Sequence, residues 1–322
     1  MTALPFLLHG ATLALAWFVL LNVATGVAVA IVSARQASAP GANTWYQSPA
    51  FCLALRLSPA LVSTLFVVVV FLPSYWRYEP REFVEGFDIS LTTLAIAAAA
   101  IIGSAFVRGM MAWRRAARRT ADWMRAARPL TLSGISMPAF AIDTDAPVMA
   151  LVGVLRPRLL ITQPVLDALT DEELSATVAH ELGHRRAFDN LKRLAMRAAP
   201  DLLSATRVAR ALERRWAVAS EHAADQGVGD GDRARCALAA ALVKVARLTP
   251  PVTPMGEPIS ALVDGGDITS RVQRLLDAPT ARRGGTPRWL APTIGVSTLI
   301  LTYTPLLRTV HVVTEILVNS LP

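Results

Sequence analysis

Apolar residues in this chain gather into long unbroken runs, not the alternating or three-to-four spacing of a soluble core. Positions 4–32 and 89–107 contain no Asp, Glu, Lys or Arg, and 51–72 contains only Arg56. A fourth uncharged run covers 289–307. Each is near or above the roughly 20 residues a helix needs to cross a hydrocarbon core. The pattern predicts about four transmembrane helices, three ahead of a polar middle and one after it. The first run is much longer than the roughly 7–15 residues of a signal-peptide core, and no basic residue precedes it. Although Ala37-Ser38-Ala39 resembles a cleavage site, a retained membrane helix is the expectation.

Composition agrees. The 322 residues are 53% hydrophobic and 17% charged, where soluble domains carry about a quarter charged residues. Mean hydropathy is +0.42. Charge placement adds an orientation. Of the 32 Lys and Arg residues, 26 lie between Arg108 and Arg283. The loop after the second run sets Arg77 and Arg81 against Glu79, Glu82, Glu85 and Asp88. The positive-inside rule therefore places the polar middle in the cytoplasm, with that acidic loop and both termini outside. The two cysteines, Cys52 and Cys236, fall on a span and in the cytoplasmic segment, so no disulfide framework or Cys-based metal site is expected.

Behind the third run, the stretch from Arg108 to Arg128 carries Arg114, Arg115, Arg118, Arg119 and Arg125, with Trp113 and Trp123. It reads as a basic helix leaving the bilayer with tryptophans at headgroup depth. Lipid phosphate is the expected anion, and direct nucleic-acid binding is not expected. From Leu130 to Thr162 the pattern turns β-like. Met149–Gly153 and Arg158–Thr162 predict two strands joined by a turn at Arg156-Pro157. They read either as an ordinary sheet or as an edge that pairs with an extended peptide.

Thr170-Asp171-Glu172-Glu173 is a capping box that opens a helix. That helix carries His180-Glu181-Leu182-Gly183-His184. Histidines at i and i+4 share a helix face and can grip one Zn²⁺, with the glutamate between them placed as general base. A catalytic zinc needs a third protein ligand and an open position. A second helical stretch, from about Leu202 to Gln226, offers Glu221, His222 and Asp225. Glu221 and Asp225 share a face, which makes Glu221 the expected ligand and Asp225 a partner that orients a histidine. His222, about 100° away around the helix, is the rival. His9 and His311 lie at or beyond the spans, on the wrong side.

His180-Glu181-x-x-His184, then Asp189, then Glu221-x-x-x-Asp225 together resemble membrane-embedded gluzincin peptidases. Three spans, a zinc domain and a fourth span, together with Ala150–Pro157 ahead of the motif helix, look most like the BlaR/MecR-type signal-transducer metallopeptidases. The HtpX and CAAX-prenyl endopeptidase group shares the zinc motifs with a different arrangement of spans. The resemblance implies one Zn²⁺ per chain on His180, His184 and Glu221, with Glu181 as catalytic base and Asp225 and Asp189 behind the ligands. It also implies a role for Arg271, supporting the transition state or the site carboxylates; the alternative is a solvated arginine on an amphipathic helix. One departure stands out: the chain runs about fifteen residues past the fourth run, without the penicillin-binding sensor domain of the antibiotic-sensing members.

The expected fold is thus an α-helical membrane protein carrying a mainly α, α+β zincin-like domain. Residues 1–110 hold three transmembrane helices (about 4–32, 51–72, 89–107), 111–287 the cytoplasmic zinc metallopeptidase domain, and 288–322 the fourth helix and a short tail. The expected activity is zinc-dependent endoproteolysis at the cytoplasmic membrane, on protein or peptide substrates such as a transcriptional repressor, with a separate protein as sensor. The competing readings are HtpX-like quality control and a non-catalytic zinc-containing transducer.

Overall fold

The computed structural model describes residues 3–37, 48–80, 88–132, 137–229, 231–248, 260–261, 268–277 and 290–320. Arg81, Glu82, Glu85, Ser38, Ala39 and Arg283 lie outside these residues. Among the described residues three helices are long and apolar enough to cross a membrane: Leu4–Gln36, Pro49–Tyr78 and Ile89–Arg125. The first is α1 (Ala3–Ala37). The second is built of α2 (Pro49–Leu65), a π-helical segment Phe66–Phe71, and α3 (Leu72–Tyr78). The third is α4 (Ile89–Arg125), which carries the helix beyond the apolar run and through the basic stretch.

Two prolines, Pro59 and Pro73, lie inside the second helix. Proline cannot donate to the carbonyl four residues back, and its ring crowds that carbonyl. The carbonyl behind Pro59 belongs to Leu55 and accepts from Ser58 Oγ at 3.0 Å. Behind Pro73 the π segment absorbs the crowding, and the Val69 carbonyl accepts from Tyr303 Oη at 2.6 Å. Both freed carbonyls are thus re-satisfied, as an apolar medium requires.

The basic stretch departs from expectation at its end. The helix stops at Arg125, and Arg128 belongs to β1 (Ala127–Leu130). Pro129 accounts for Arg128, because the residue before a proline is pushed out of the helical region. The other strands are β2 (Ala139–Ile142), β3 (Met149–Val152), β4 (Arg158–Thr162) and β5 (Ser260–Ala261). Sheet order is β1-β2-β4-β3-β5, antiparallel except for the β2–β4 pair. β3 and β4 form the hairpin expected from sequence, and its turn uses Gly153 at φ 95°, a conformation that favours glycine. The substrate-edge reading of 149–153 meets an obstacle: β5 already pairs with the outer side of β3 at Ala150 and Leu151.

Among the described residues five α-helices follow β4 before β5: α5 (Gln163–Ala168), α6 (Asp171–Ala187), α7 (Asp189–Ala198), α8 (Arg207–Gln226) and α9 (Asp232–Leu248). The predicted helix from about 202 begins five residues later, because Leu203–Ala205 form a 3₁₀ turn and Thr206 caps α8. α10 (Ile268–Leu276) and α11 (Leu290–Asn319) complete the chain. One sheet face packs on α6, α9 and α10 through Leu151, Leu159, Ile161, Val178, Leu238, Leu242 and Leu275.

The domain is fastened to the apolar helices where α7 meets α8. Arg56 of α2 is 1% exposed. Its guanidinium donates to Asp201 Oδ2 (2.9 Å), Glu213 Oε1 (2.9 Å), the Met196 carbonyl (2.8 Å) and Ser204 Oγ (2.8 Å). Asn22 of α1 donates to the Pro200 carbonyl and accepts from the Leu202 amide. Arg108 of α4 donates to the Ala199 carbonyl at 2.9 Å. Trp216 of α8 is buried against Cys52 and Met196. A seam of polar bonds and one aromatic anchor therefore joins three apolar helices to α7, α8 and the segment between them, α8 being the helix that carries Glu221.

Candidate metal centre

The capping box forms as expected: the Glu173 amide donates to Thr170 Oγ1, and the Thr170 amide to Glu173 Oε2 at 2.8 Å. Glu173 also accepts from Lys244 Nζ at 2.7 Å, tying the start of α6 to α9. From that start the helix turns His180, Glu181 and His184 into the interior, each 0–1% exposed. Gly183 lets α8 approach, since a Cβ there would sit 3.3 Å from Ala224 Cα. Ala224 lies three residues after Glu221, so this contact sets the distance at which Glu221 faces the histidines.

The donor atoms converge. His180 Nε2 and His184 Nε2 are 3.2 Å apart. Glu221 brings Oε2 to 3.5 Å from the first and Oε1 to 3.5 Å from the second. Zinc bonds of 2.0–2.1 Å at tetrahedral angles place ligands about 3.3 Å apart. The three residues therefore fit a Zn²⁺ ion, and both Nε2 atoms face the place it would occupy. His222 is not in the cluster; among the described residues the candidate groups are His180, His184 and Glu221 here, and Glu79, His311 and Glu315 elsewhere.

Behind His180 and His184 stand Asp225 and Asp189. Asp189 Oδ2 lies 2.7 Å from His184 Nδ1, and Asp225 Oδ1 lies 3.0 Å from His180 Nδ1. Asp189 reaches back because Phe188 adopts a left-handed conformation (φ 55°, ψ 39°), which ends α6 and begins α7 at once. A bulky residue at positive φ is strained, and such strain clusters at functional sites. Neither Phe188 nor its neighbour Asn190 was singled out from sequence. Asn190 donates to the Leu151 and Gly153 carbonyls, both at 2.9 Å, and so holds the end of β3 against the start of α7. No spacing rule marks either residue; only the adjacent Asp189 hints at them.

Arg271 is buried at 3% exposure, so it is not a solvated helix arginine. It grips Asp225 with Nε (2.9 Å) and Nη2 (2.6 Å), and places Nη1 3.1 Å from Glu221 Oε2. This fork matches carboxylate geometry. Electrostatics follow from burial and these partners. Burial opposes charge on Glu221, yet His180, His184 and Arg271 outweigh it and hold its carboxyl well below the usual range. Burial likewise opposes charging His184, but Asp189 and Glu221 push it up to about 10. Glu181 is different: burial dominates and pushes it up to about 7, against the pull of both histidines. Its two carboxylate oxygens are buried without a hydrogen-bond partner among the described residues.

Three buried metal-ligating side chains beside an unsatisfied carboxylate can bind a metal ion and move a proton. Comparison with known proteins bears on the same segment. No curated protein matches the chain. Residues 113–255, which contain His180, Glu181, His184 and Glu221, match the family model of Peptidase family M48, and this match supports a metallopeptidase domain set behind three apolar helices.

Proposed function

We propose that this chain is a membrane-anchored zinc endopeptidase in which His180, His184 and Glu221 hold the metal and Glu181 is the general base. The observation that carries the proposal is the convergence of three donor groups at 3.2–3.5 Å beside Glu181, whose carboxylate has no partner of its own. When bound, Zn²⁺ lowers the pKa of a coordinated water and polarises the scissile carbonyl. Glu181 accepts the proton of the attacking water and passes it to the leaving amine. A carboxyl raised to about 7 suits that exchange, because a proton carrier works best near the operating pH. Asp189 holds the Nδ1 proton of His184, and the Asp225 carboxylate stands 3.0 Å from Nδ1 of His180, an arrangement that turns both Nε2 atoms toward the metal. Arg271 is a positioning residue that clamps Asp225 and Glu221.

In this reading residues 1–110 anchor the enzyme, 111–287 form the peptidase domain on the cytoplasmic side, and 288–322 cross the membrane once more. Its substrates are cytoplasmic or membrane-proximal proteins, cleaved in regulated signalling of the BlaR/MecR kind, with a transcriptional repressor as target and a separate protein as sensor. The signalling role rests on the order of apolar runs and the sequence motifs. His222 standing outside the cluster favours an open fourth position over a closed structural site.

The test pairs metal counting with proteolysis. Purified Glu181→Gln should keep zinc by elemental analysis and lose cleavage; retained cleavage refutes the assignment of the base. His184→Ala should lose the zinc. In cells, comparison of wild type with Glu181→Gln should show one stabilised regulator. Many stabilised membrane proteins would indicate quality control instead, and no stabilised protein would indicate a non-catalytic transducer.

A further inference from the structure

The geometry points to a second metal site, for a divalent transition ion, formed by Glu79, His311 and Glu315 at the end of the helix bundle remote from the peptidase domain. Ligand atoms from the three side chains all lie within 4.8 Å of one another, and all three residues are half-buried. His311 and Glu315 are one helical turn apart on α11, so they share a face. Glu79 is the C-cap residue of α3. His311 Nδ1 stands 3.6 Å from Glu79 Oε2, and the imidazole stacks on Tyr78 with centroids 5.8 Å apart.

The two elements are held together apart from this cluster. Ser74 Oγ of α3 donates to the Leu307 carbonyl of α11 at 2.6 Å. Tyr303 Oη donates to Val69 at 2.6 Å, and Trp17 Nε1 of α1 donates to Thr314 Oγ1 at 3.1 Å. The donor groups are therefore brought into range by a scaffold that needs no ion. Two carboxylates this close repel, and a divalent cation between them turns the repulsion into attraction. One imidazole with two carboxylates is a donor set for Zn²⁺ and its first-row neighbours.

This site is far from the first. Tyr75, four residues before Glu79, donates to the Phe6 carbonyl near the start of α1, whereas Asn22 of the same helix meets the peptidase seam. Sixteen residues of helix separate those levels by about 24 Å, most of a hydrocarbon thickness. A metal here would join α3 to α11 on the face opposite the peptidase domain.

The experiment counts zinc in the full chain, purified in detergent with any affinity tag removed, saturated with Zn²⁺ and freed of excess. Wild type should hold two zinc ions per chain, His311→Ala one, His184→Ala one, and the double variant none. Glu315→Gln and Glu79→Gln serve as milder changes should His311→Ala misfold, and each should weaken the second zinc at least tenfold in a competition titration. A single zinc in wild type, or two in His311→Ala and in both glutamine variants, overturns the second site. Because the zinc at His180, His184 and Glu221 is scored by His184→Ala, failure of one site is distinguishable from failure of the other.

Discussion

Arg56 in the second apolar helix and Glu181 in the motif helix are both charged side chains with almost no exposed surface. Every nitrogen of the Arg56 guanidinium donates to a partner, two of them carboxylates. Glu181 has neither oxygen bonded among the described residues. The same helix serves both places: α8 offers Glu213 to Arg56 and, eight residues on, Glu221 to the histidines. Burying a charge is costly unless it is paired. The paired Arg56 therefore reads as structure, and the unpaired carboxylate of Glu181, beside three donor groups, fits the proposed general base. Arg56 bonds Glu213 of α8, and with Asn22 and Arg108 it holds the segment that leads into that helix; Glu181 leaves bonding capacity unused, as the proposed general base would.

That contrast can be broken in order of expected effect. Glu181→Gln should lower the cleavage rate by about 10²–10⁴-fold, the range for a general base, while the unfolding midpoint stays level or rises, since a desolvated charge is removed. A drop in both activity and midpoint would make Glu181 structural. Arg56→Met should do the opposite, costing about 3–5 kcal/mol of stability by leaving Asp201 buried without its partner. Chemical denaturation in detergent measures this, and adding Asp201→Asn should recover part of the loss. If Arg56→Met is neutral, the seam does not hold the domain.

Smaller effects sharpen the boundary between the two kinds of cluster. Asp189→Asn should weaken zinc binding by about 10–100-fold, the usual consequence of losing a carboxylate behind a ligating histidine. A competition titration with a chelator reads it, and unchanged affinity would remove Asp189 from the site. Thr170→Ala should cost about 1 kcal/mol, because the capping hydroxyl is lost while Lys244 still holds Glu173. Its effect belongs on the melting curve, with the rate per folded molecule unchanged.

Much of the centre was legible because its residues recur at helical spacing. His180, Glu181 and His184 declare their shared face, and Thr170 with Glu173 declares the helix start. Glu221 and Asp225 were readable as a pair facing the histidines, but not which histidine each would meet. Asp189 reaches His184 only through the left-handed turn at Phe188, and nothing in the local sequence demands that turn. Arg271 was marked only by the family resemblance, beside the alternative of a solvated helix arginine, and the packing of α10 that buries it removes that alternative. The basic run extends to Arg128 but the helix ends at Arg125, and Pro129 keeps Arg128 in the strand. β3 looked open to a peptide until β5, more than a hundred residues later, paired with it.

The amino-acid sequence alone determined the apolar helices, the capped motif helix and the two histidines, because hydrophobic run length and i, i+4 spacing are local properties. Tertiary structure alone decided that Glu221, not His222, faces those histidines, that Arg271 clamps the carboxylates, and that Arg56 locks a membrane helix to the domain. It also brought Glu79 to His311. These are contacts between segments far apart in the chain, and their partners are chosen by packing: Gly183 against Ala224, Trp216 against Cys52, α3 against α11.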